Sequence, residues 1–153
     1  MPREWTSGIM SVALTIFVVS PLISGRLINR FGPKRLAIGS TAVASFCLIM
    51  IFIVSNVWVA FVFDMLHVWF GAFSVPAFLA LVLEQVPSYR GTMMSLNSLF
   101  NNIGKTIAPA IGGALLVVTS GYYPSVGLVF GGMSLIGVVL LFFFVKETKK
   151  TTV

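Results

Sequence analysis

Charge and cysteine are both scarce in this sequence. Only 9% of its 153 residues are charged and 58% are hydrophobic, whereas a soluble domain normally carries about 25% charged residues. The single cysteine, Cys47, lies inside an apolar run, which excludes a disulfide framework and a cysteine metal site. A phosphate-binding loop of the G-x-x-x-x-G-K-[ST] type is also missing. This composition predicts a membrane protein that is not driven by nucleotide hydrolysis.

Several apolar runs are long enough to cross a hydrocarbon core of about 30 Å, which takes roughly 20 residues. Their continuous hydrophobicity argues against membrane β-strands, which alternate over segments of about ten residues. We therefore expect an all-α membrane protein in which residues 1–153 form a single membrane domain of five transmembrane helices. The expected spans are residues 7–24, 36–55, 57–83, 92–118 and 122–145.

Basic residues predict the orientation of the spans, because Lys and Arg concentrate in cytoplasmic loops. The 25–35 loop, the 84–91 loop and the C-terminus are predicted to be cytoplasmic, and the opposite side has only Arg3, beside Glu4. The N-terminus would then lie outside, which is unusual, so we expect that one or more preceding helices are missing and that the chain is a fragment. The basic residues on the predicted cytoplasmic side are Arg26, Arg30, Lys34, Arg35, Arg90, Lys146, Lys149 and Lys150.

The second and fifth spans are almost wholly apolar and are expected at the outside of the bundle, with lipid on one side. The fifth span carries Gly127 and Gly131, a small-xxx-small pair that allows helices to approach closely. The alternative for this pair is flexible filler in an apolar helix.

Polar side chains are concentrated in the third and fourth spans. In the fourth span Asn97, Asn101 and Lys105 fall within an arc of about 80° on the helix surface. This face is expected to carry polar side chains in its cytoplasmic half and small side chains toward the outside. The residues expected to serve close packing or bending of this helix are Gly104, Ala108, Pro109, Gly112 and Gly113.

Equal depth predicts two contacts between the third and fourth spans. At about 1.5 Å per residue, Lys105 lies roughly 20 Å from the cytoplasmic edge and Asp64 roughly 10 Å from the outer edge, so their depths coincide in a 30 Å core. We therefore hypothesise an Asp64–Lys105 ion pair and, by the same count, a His67–Asn101 hydrogen bond. Ionisable residues inside a membrane are functional candidates, although such groups can also simply tie helices together.

The segment "GRLINRFGPKRLAIG", residues 25–39, resembles the cytoplasmic loop motif of the major facilitator superfamily, G-x-L-x-D-R-x-G-R-K/R. In the family the Asp helps to cap a neighbouring helix and joins a charge network at the cytoplasmic gate. Asn29 replaces that Asp, so it can cap but brings no charge. Gly25 and Gly32 are expected to allow a tight reversal, and the alternative is a plain positive-inside loop. The residues assigned to this motif are Gly25, Leu27, Asn29, Arg30, Gly32, Lys34 and Arg35.

A second segment, residues 86–116, is similar to the matching part of multidrug and sugar efflux members of the same superfamily. Within it "GKTIAPAIGG" nearly fits the antiporter pattern G-x-x-x-G-P-x-x-G-G, with Ala108 in place of one Gly. That pattern marks the fifth helix of the family, whereas "HVWFG", residues 67–71, lacks the Arg and Gln-Gly of the fourth. The resemblance favours the last five of twelve helices, a partial half-bundle, and helices two to six remain the alternative.

The resemblance implies a secondary transporter of the cell membrane that moves a small solute, efflux-like and of the antiporter type. Asn97, Asn101 and Lys105 would face a central cavity, with Asp64 as a candidate proton-coupling carboxylate and His67 as its titratable neighbour. The expected partners are the lipid bilayer, a small-molecule substrate, protons as a candidate coupling ion, and the missing N-terminal helices or a partner chain. No nucleic acid, cofactor or metal is expected.

Two other classes of protein are alternatives to a transporter. One is a non-transporting or assembling membrane subunit derived from a truncated transporter. The other is an integral membrane enzyme, for which the sequence offers one His, one Cys and no carboxylate pair at ligand spacing. The sequence therefore favours a protein that is not an enzyme, and it does not identify the substrate.

Overall fold

The computed structural model describes residues 3–85 and 87–145, which form five α-helices and one short 3₁₀ turn, Pro87–Tyr89. The predicted basic residues Lys146, Lys149 and Lys150 lie outside the described residues. The five helices are α1 (Arg3–Phe31), α2 (Pro33–Ile53), α3 (Val57–Gln85), α4 (Arg90–Val118) and α5 (Pro124–Phe144).

The five predicted spans coincide with these five helices, and α1 differs most because it continues to Phe31 through the loop motif. The reversal into α2 is made by Gly32 alone, with φ 84°, a backbone conformation that glycine adopts without a steric penalty. Pro33 then begins α2, since its fixed φ suits the first helical position and its missing N–H is not needed there. The expectation that Gly25 takes part in the reversal is therefore wrong, because Gly25 lies inside α1.

Three of the described helices, α2, α3 and α5, are long and apolar enough to cross a membrane by themselves. In α1, residues 14–20 and 22–31 meet at a bend of 46° next to Pro21, and together they would make a fourth span. Helix α4 has 29 residues, enough for about 43 Å, but its polar side chains lower its hydropathy. The all-α membrane fold is confirmed, and the crossing of α4 as a fifth span stays a prediction.

Helix α2 lies at the centre of the described bundle, in contact with α1, α3 and α5. The expectation that α2 lies at the outside is therefore wrong: its small side chains pack inward, and only part of its surface faces away. Apolar composition alone does not separate a central helix from a peripheral one, since both present apolar surface. The buried residues of α2 are Pro33, Ala37, Ser40, Ala44, Ser45 and Cys47.

Helices α2 and α5 run antiparallel and approach closely at the glycine pair. Gly127 and Gly131 are buried, and a methyl group added at Gly127 would lie 2.7 Å from Cβ of Phe52. A methyl group at Gly131 would be 2.9 Å from Cδ1 of Ile49 and 3.3 Å from the carbonyl oxygen of Ser45. The pair therefore serves close packing, and the filler alternative is excluded.

Helix α4 is the least packed of the five helices. It touches α3 and α5 at few positions and none of its 29 residues is buried. The described bundle thus consists of a packed block of α1, α2, α3 and α5, with α4 lying along one side of it.

The glycine contact predicts that two neighbouring substitutions differ in their effect on stability. Gly131→Ala is expected to lower the free energy of unfolding by about 1–3 kcal/mol, because an overpacked methyl group displaces Ile49. Gly132→Ala is the matched control, since a methyl group there meets nothing within 4 Å. Unfolding in mixed detergent micelles, followed by circular dichroism, measures both, and equal stability of the two variants would contradict the close α2–α5 contact.

Candidate functional site

A cavity of about 380 Å³ lies where α2, α3, α4 and α5 meet, within the size range of small-molecule pockets. We call this cavity the polar pocket. It lies toward the end of the bundle that carries the α1–α2 and α3–α4 connections, which we call the basic end. None of its lining residues is charged, and they are Thr41, Ser74, Val75, Phe78, Asn97, Asn101, Ser134, Gly137 and Leu141.

Two of the predicted cavity residues, Asn97 and Asn101, line this pocket from α4. They lie one helical turn apart, so both amides project from one face. Nδ2 of Asn101 donates to the carbonyl oxygen of Asn97 at 2.9 Å and lies 3.2 Å from its side-chain oxygen Oδ1. This arrangement leaves the amide nitrogen of Asn97 and the amide oxygen of Asn101 without a hydrogen bond to another described residue, so both are available to a ligand.

Hydroxyl groups from the other three helices complete the polar lining. Ser134 of α5 lies 2.6 Å, oxygen to oxygen, from Ser45 of α2, which fixes its position across the α2–α5 contact. Ser74 donates to the carbonyl oxygen of Gly71 at 2.8 Å, and its hydroxyl oxygen can still accept a hydrogen bond. Thr41 adds a further hydroxyl from α2. The pocket therefore offers neutral donors and acceptors beside the ring of Phe78, and it can hold a small solute without a charged anchor.

Asp64 and Lys105 do not line the polar pocket and form no ion pair in the described part of the chain. Asp64 is half-buried on α3, and Lys105 is exposed on α4. The hypothesised ion pair is wrong, because equal depth fixes only the height of two side chains and α4 lies too loosely against α3 to bring these faces together. Asp64 has no hydrogen-bond or ion-pair partner among residues 3–85 and 87–145.

His67 bonds to α2 rather than to α4. Its Nδ1 lies 2.8 Å from the carbonyl oxygen of Ala44, so the predicted bond to Asn101 is wrong. Because a carbonyl oxygen only accepts, Nδ1 must carry the proton in this contact. The contact therefore makes His67 a link between α2 and α3.

The motif residues lie in the last turns of α1, at Gly32 and in the first turn of α2. Asn29 is exposed and its side chain makes no hydrogen bond to another described residue, so no helix capping by Asn29 is present. The guanidinium of Arg30 lies 5.6 Å from the ring centroid of Phe31. Nζ of Lys34 donates to the carbonyl oxygen of Phe142 at 3.1 Å, where a cation satisfies one of the last carbonyls of α5. Lys34 thereby ties the start of α2 to the end of α5.

The small residues of α4 contribute little packing in the described bundle. A methyl group added at Gly112 would lie 3.7 Å from Cε2 of Phe130, an ordinary contact with α5, and at Gly104 or Gly113 it would meet nothing within 4 Å. Ala108 is half-buried and Pro109 is exposed within a continuous helix. Their predicted packing role thus stays a prediction that needs a partner on this face.

Sequence reasoning missed the hydroxyl side of the pocket. A signal was present, since Ser74 follows His67 by seven residues and so shares its face on α3. Ser134 likewise follows Gly131 by three residues and shares the glycine face of α5. Hydroxyl groups are a weak signal, because they are common in membrane helices and usually donate to a backbone carbonyl of their own helix.

Comparison with known proteins agrees with this all-helical membrane fold. The family model of the Major Facilitator Superfamily matches residues 4–153, so the chain belongs to the major facilitator superfamily. It is 28% identical over 147 residues to the "Uncharacterized MFS-type transporter YfiS" of Bacillus subtilis (strain 168), a match that covers 95% of this chain and 34% of that protein. The chain thus spans about a third of the length of this curated relative. No solved structure matches it significantly.

Family membership confirms the resemblance found in the sequence. It makes the chain an integral, multi-pass membrane protein, and it points to a transporter family rather than to an enzyme family.

The His67 link predicts a modest stability effect. His67→Leu is expected to lower the free energy of unfolding by about 0.6–1.7 kcal/mol, the range of interhelical hydrogen bonds in membranes. Asn102→Leu is the control, because Asn102 is exposed and its side chain makes no hydrogen bond to another described residue. Detergent unfolding measures both variants, and a His67→Leu protein as stable as the parent would show that the bond to Ala44 contributes nothing.

Proposed function

We propose that this chain is part of a secondary transporter of the major facilitator superfamily and that the polar pocket forms part of its solute pathway. The observation that carries the proposal is the convergence of uncharged polar side chains from four helices on one cavity, Asn97 and Asn101 among them. Superfamily transporters bind solute between helices and alternate access by moving one half against the other. A neutral polar lining suits a small solute that forms hydrogen bonds.

The exposed surface of α4 supports a partner in the same transporter. A helix without a single buried residue, carrying amides and Lys105, is costly to leave against lipid. Further helices covering this face would enclose the polar pocket and give Gly104 and Gly113 something to pack against. The relative's length, of which the match covers 34%, is consistent with such additional helices. We therefore propose that α4 lies at the boundary with further helices of the transporter.

Coupling and orientation belong to the same proposal. The uncompensated carboxylate of Asp64, half-buried in α3, is our candidate proton carrier, which makes protons the coupling ion. We propose that the basic end and the C-terminus lie on the cytoplasmic side of the cell membrane, because basic residues concentrate in cytoplasmic loops and are present at the α1–α2 and α3–α4 connections. An efflux direction and antiport rest on the similarity of residues 86–116 to efflux members.

A non-transporting or assembling subunit is the second candidate, favoured by the same unpacked α4. A subunit would use this face to bind another chain and would not need a water-filled pocket. Solvent access to the pocket therefore distinguishes the two functions.

Thiol labelling tests that access, because the single native cysteine, Cys47, is buried and can be replaced by Ala. Asn101→Cys and Ser74→Cys are expected to react with a charged, water-soluble methanethiosulfonate reagent in cells at least about tenfold faster than a control cysteine, since thiolates form in water. The control is Val139→Cys, which replaces an exposed apolar side chain of α5 outside the pocket. Equal, slow labelling at all three positions would favour the subunit function.

Transport itself is tested in proteoliposomes that contain the complete transporter, with labelled sugars, cationic drugs and organic anions as the probe panel. For the transported probe, Asn101→Ala is expected to reduce the initial rate about fivefold, the effect of losing one hydrogen bond worth about 1 kcal/mol. Asn102→Ala, one residue outside the pocket, is expected to keep the parent rate. Equal rates for the two variants would remove Asn101 from the solute pathway.

A further inference from the structure

A second cavity, of about 340 Å³, opens between α1, α2 and α3. We call it the basic-end groove, and it shares no residue with the polar pocket. Its lining residues are Leu27, Phe31, Arg35, Leu36, Gly39, Ser40, Val43, Phe70 and Phe73.

The interior of the groove suits an alkyl chain. Its α2 wall runs from Arg35 to Val43, and the eight steps between these residues extend about 12 Å along the helix axis. The hydroxyl of Ser40 donates to the carbonyl oxygen of Leu36 at 2.6 Å, so it is already used. A methyl group at Gly39 would meet nothing within 4 Å, which leaves room beside the α2 backbone. An apolar chain could fill this space without burying a polar group that lacks a hydrogen bond.

The mouth of the groove is cationic. Arg35 lies among the lining residues, and the guanidinium of Arg30 lies 5.6 Å from the ring of Phe31, which also lines the groove. Both arginines are exposed, and each guanidinium has five N–H donors, so it can bind an anion beside its other contacts. The acidic residue Glu84, near the same end of α3, is not part of the lining.

We propose that the basic-end groove binds an anionic phospholipid. One acyl chain lies between α1, α2 and α3, and the phosphate lies at Arg30 and Arg35. An apolar trough that begins at a pair of arginines matches the order of parts in such a lipid, whose charged headgroup sits directly above its chains. A neutral solute would not match the positive charge at the mouth, and a free phosphate would leave the trough empty. The site lies outside the polar pocket, so this proposal holds or fails independently of transport.

Tryptophan fluorescence gives a local readout of an occupied groove. Trp69 packs edge-on against Phe73 with ring centroids 5.8 Å apart, and Phe73 lines the groove. Replacing the other two tryptophans, Trp5→Phe and Trp58→Phe, leaves Trp69 as the single emitter. This 153-residue chain is reconstituted into phosphatidylcholine vesicles with either brominated phosphatidylglycerol or brominated phosphatidylcholine as the minor lipid. Brominated chains quench Trp69 at contact, so relative quenching gives the preference for the anionic lipid.

We expect the parent chain to prefer phosphatidylglycerol. Arg30→Gln is expected to lower this preference about fivefold, and Arg30→Gln/Arg35→Gln to lower it further, because each arginine near an anionic lipid contributes about a factor of five. Gly39→Leu, which fills the trough and leaves the charge unchanged, is expected to remove the preference. Arg90→Gln is the matched control, since Arg90 is an exposed arginine at the basic end outside the groove, and it should keep the parent preference.

Two results would overturn the proposal. Equal quenching by the two brominated lipids in the parent chain would mean that the groove does not select an anionic headgroup. It would then bind an apolar helix of the same transporter or the chains of any lipid. A preference that survives both Gly39→Leu and the double arginine change, in variants with parent helix content by circular dichroism, would place the anionic lipid elsewhere on the surface.

Discussion

Close approach of helix backbones around α2 is the constraint on which the rest of the structure depends. Lipid chains are as apolar as leucine, so helices in a membrane gain little from burying large apolar side chains and associate mainly by packing. Small residues on α2, such as Ala37, Ala44 and Ser45, are buried, and the glycine pair of α5 meets the same helix. Ser40 and Ser45 donate to the carbonyl oxygen four residues earlier, so their hydroxyls are buried at no cost. No buried side-chain nitrogen or oxygen within residues 3–85 and 87–145 lacks a partner.

Helix α4 differs from α2 in both composition and packing. Its surface carries amides and a lysine where α2 has alanines and serines, and none of its residues is buried. The polar pocket forms between a block of closely packed helices and α4, which makes few contacts with that block. Ser134 illustrates the first part, because its contact with Ser45 holds it against α2. On the other side of the pocket, Asn97 and Asn101 lie on a helix that makes few contacts with the described block.

The sequence predicted the helices well and their mutual rotation poorly, for physical reasons. Hydropathy fixes where a chain is apolar, so four of the five predicted spans begin and end within about three residues of the helices. Depth, counted along the axis, gives the height of a side chain but not the direction it faces. His67 therefore reached Ala44 on α2 instead of Asn101, and Asp64 found no partner in Lys105. Asn97 and Asn101 share one face of α4 and both line the polar pocket, because a common face follows from spacing within one helix and needs no knowledge of its neighbours.

The loop motif shows how a family pattern can persist while its physical role changes. Asn29 cannot supply the charge of the family's aspartate, and its side chain is exposed without a hydrogen bond to another described residue. Lys34, a matching position, instead binds the carbonyl oxygen of Phe142 and lies 5.7 Å from that residue's ring centroid. The connection between α1 and α2 is thereby held to the end of α5 rather than to a partner across a gate. Because α5 also packs against α2 at Gly127, Gly131 and Ser134, that helix pair is held together at both ends, whereas α4 has no buried residue.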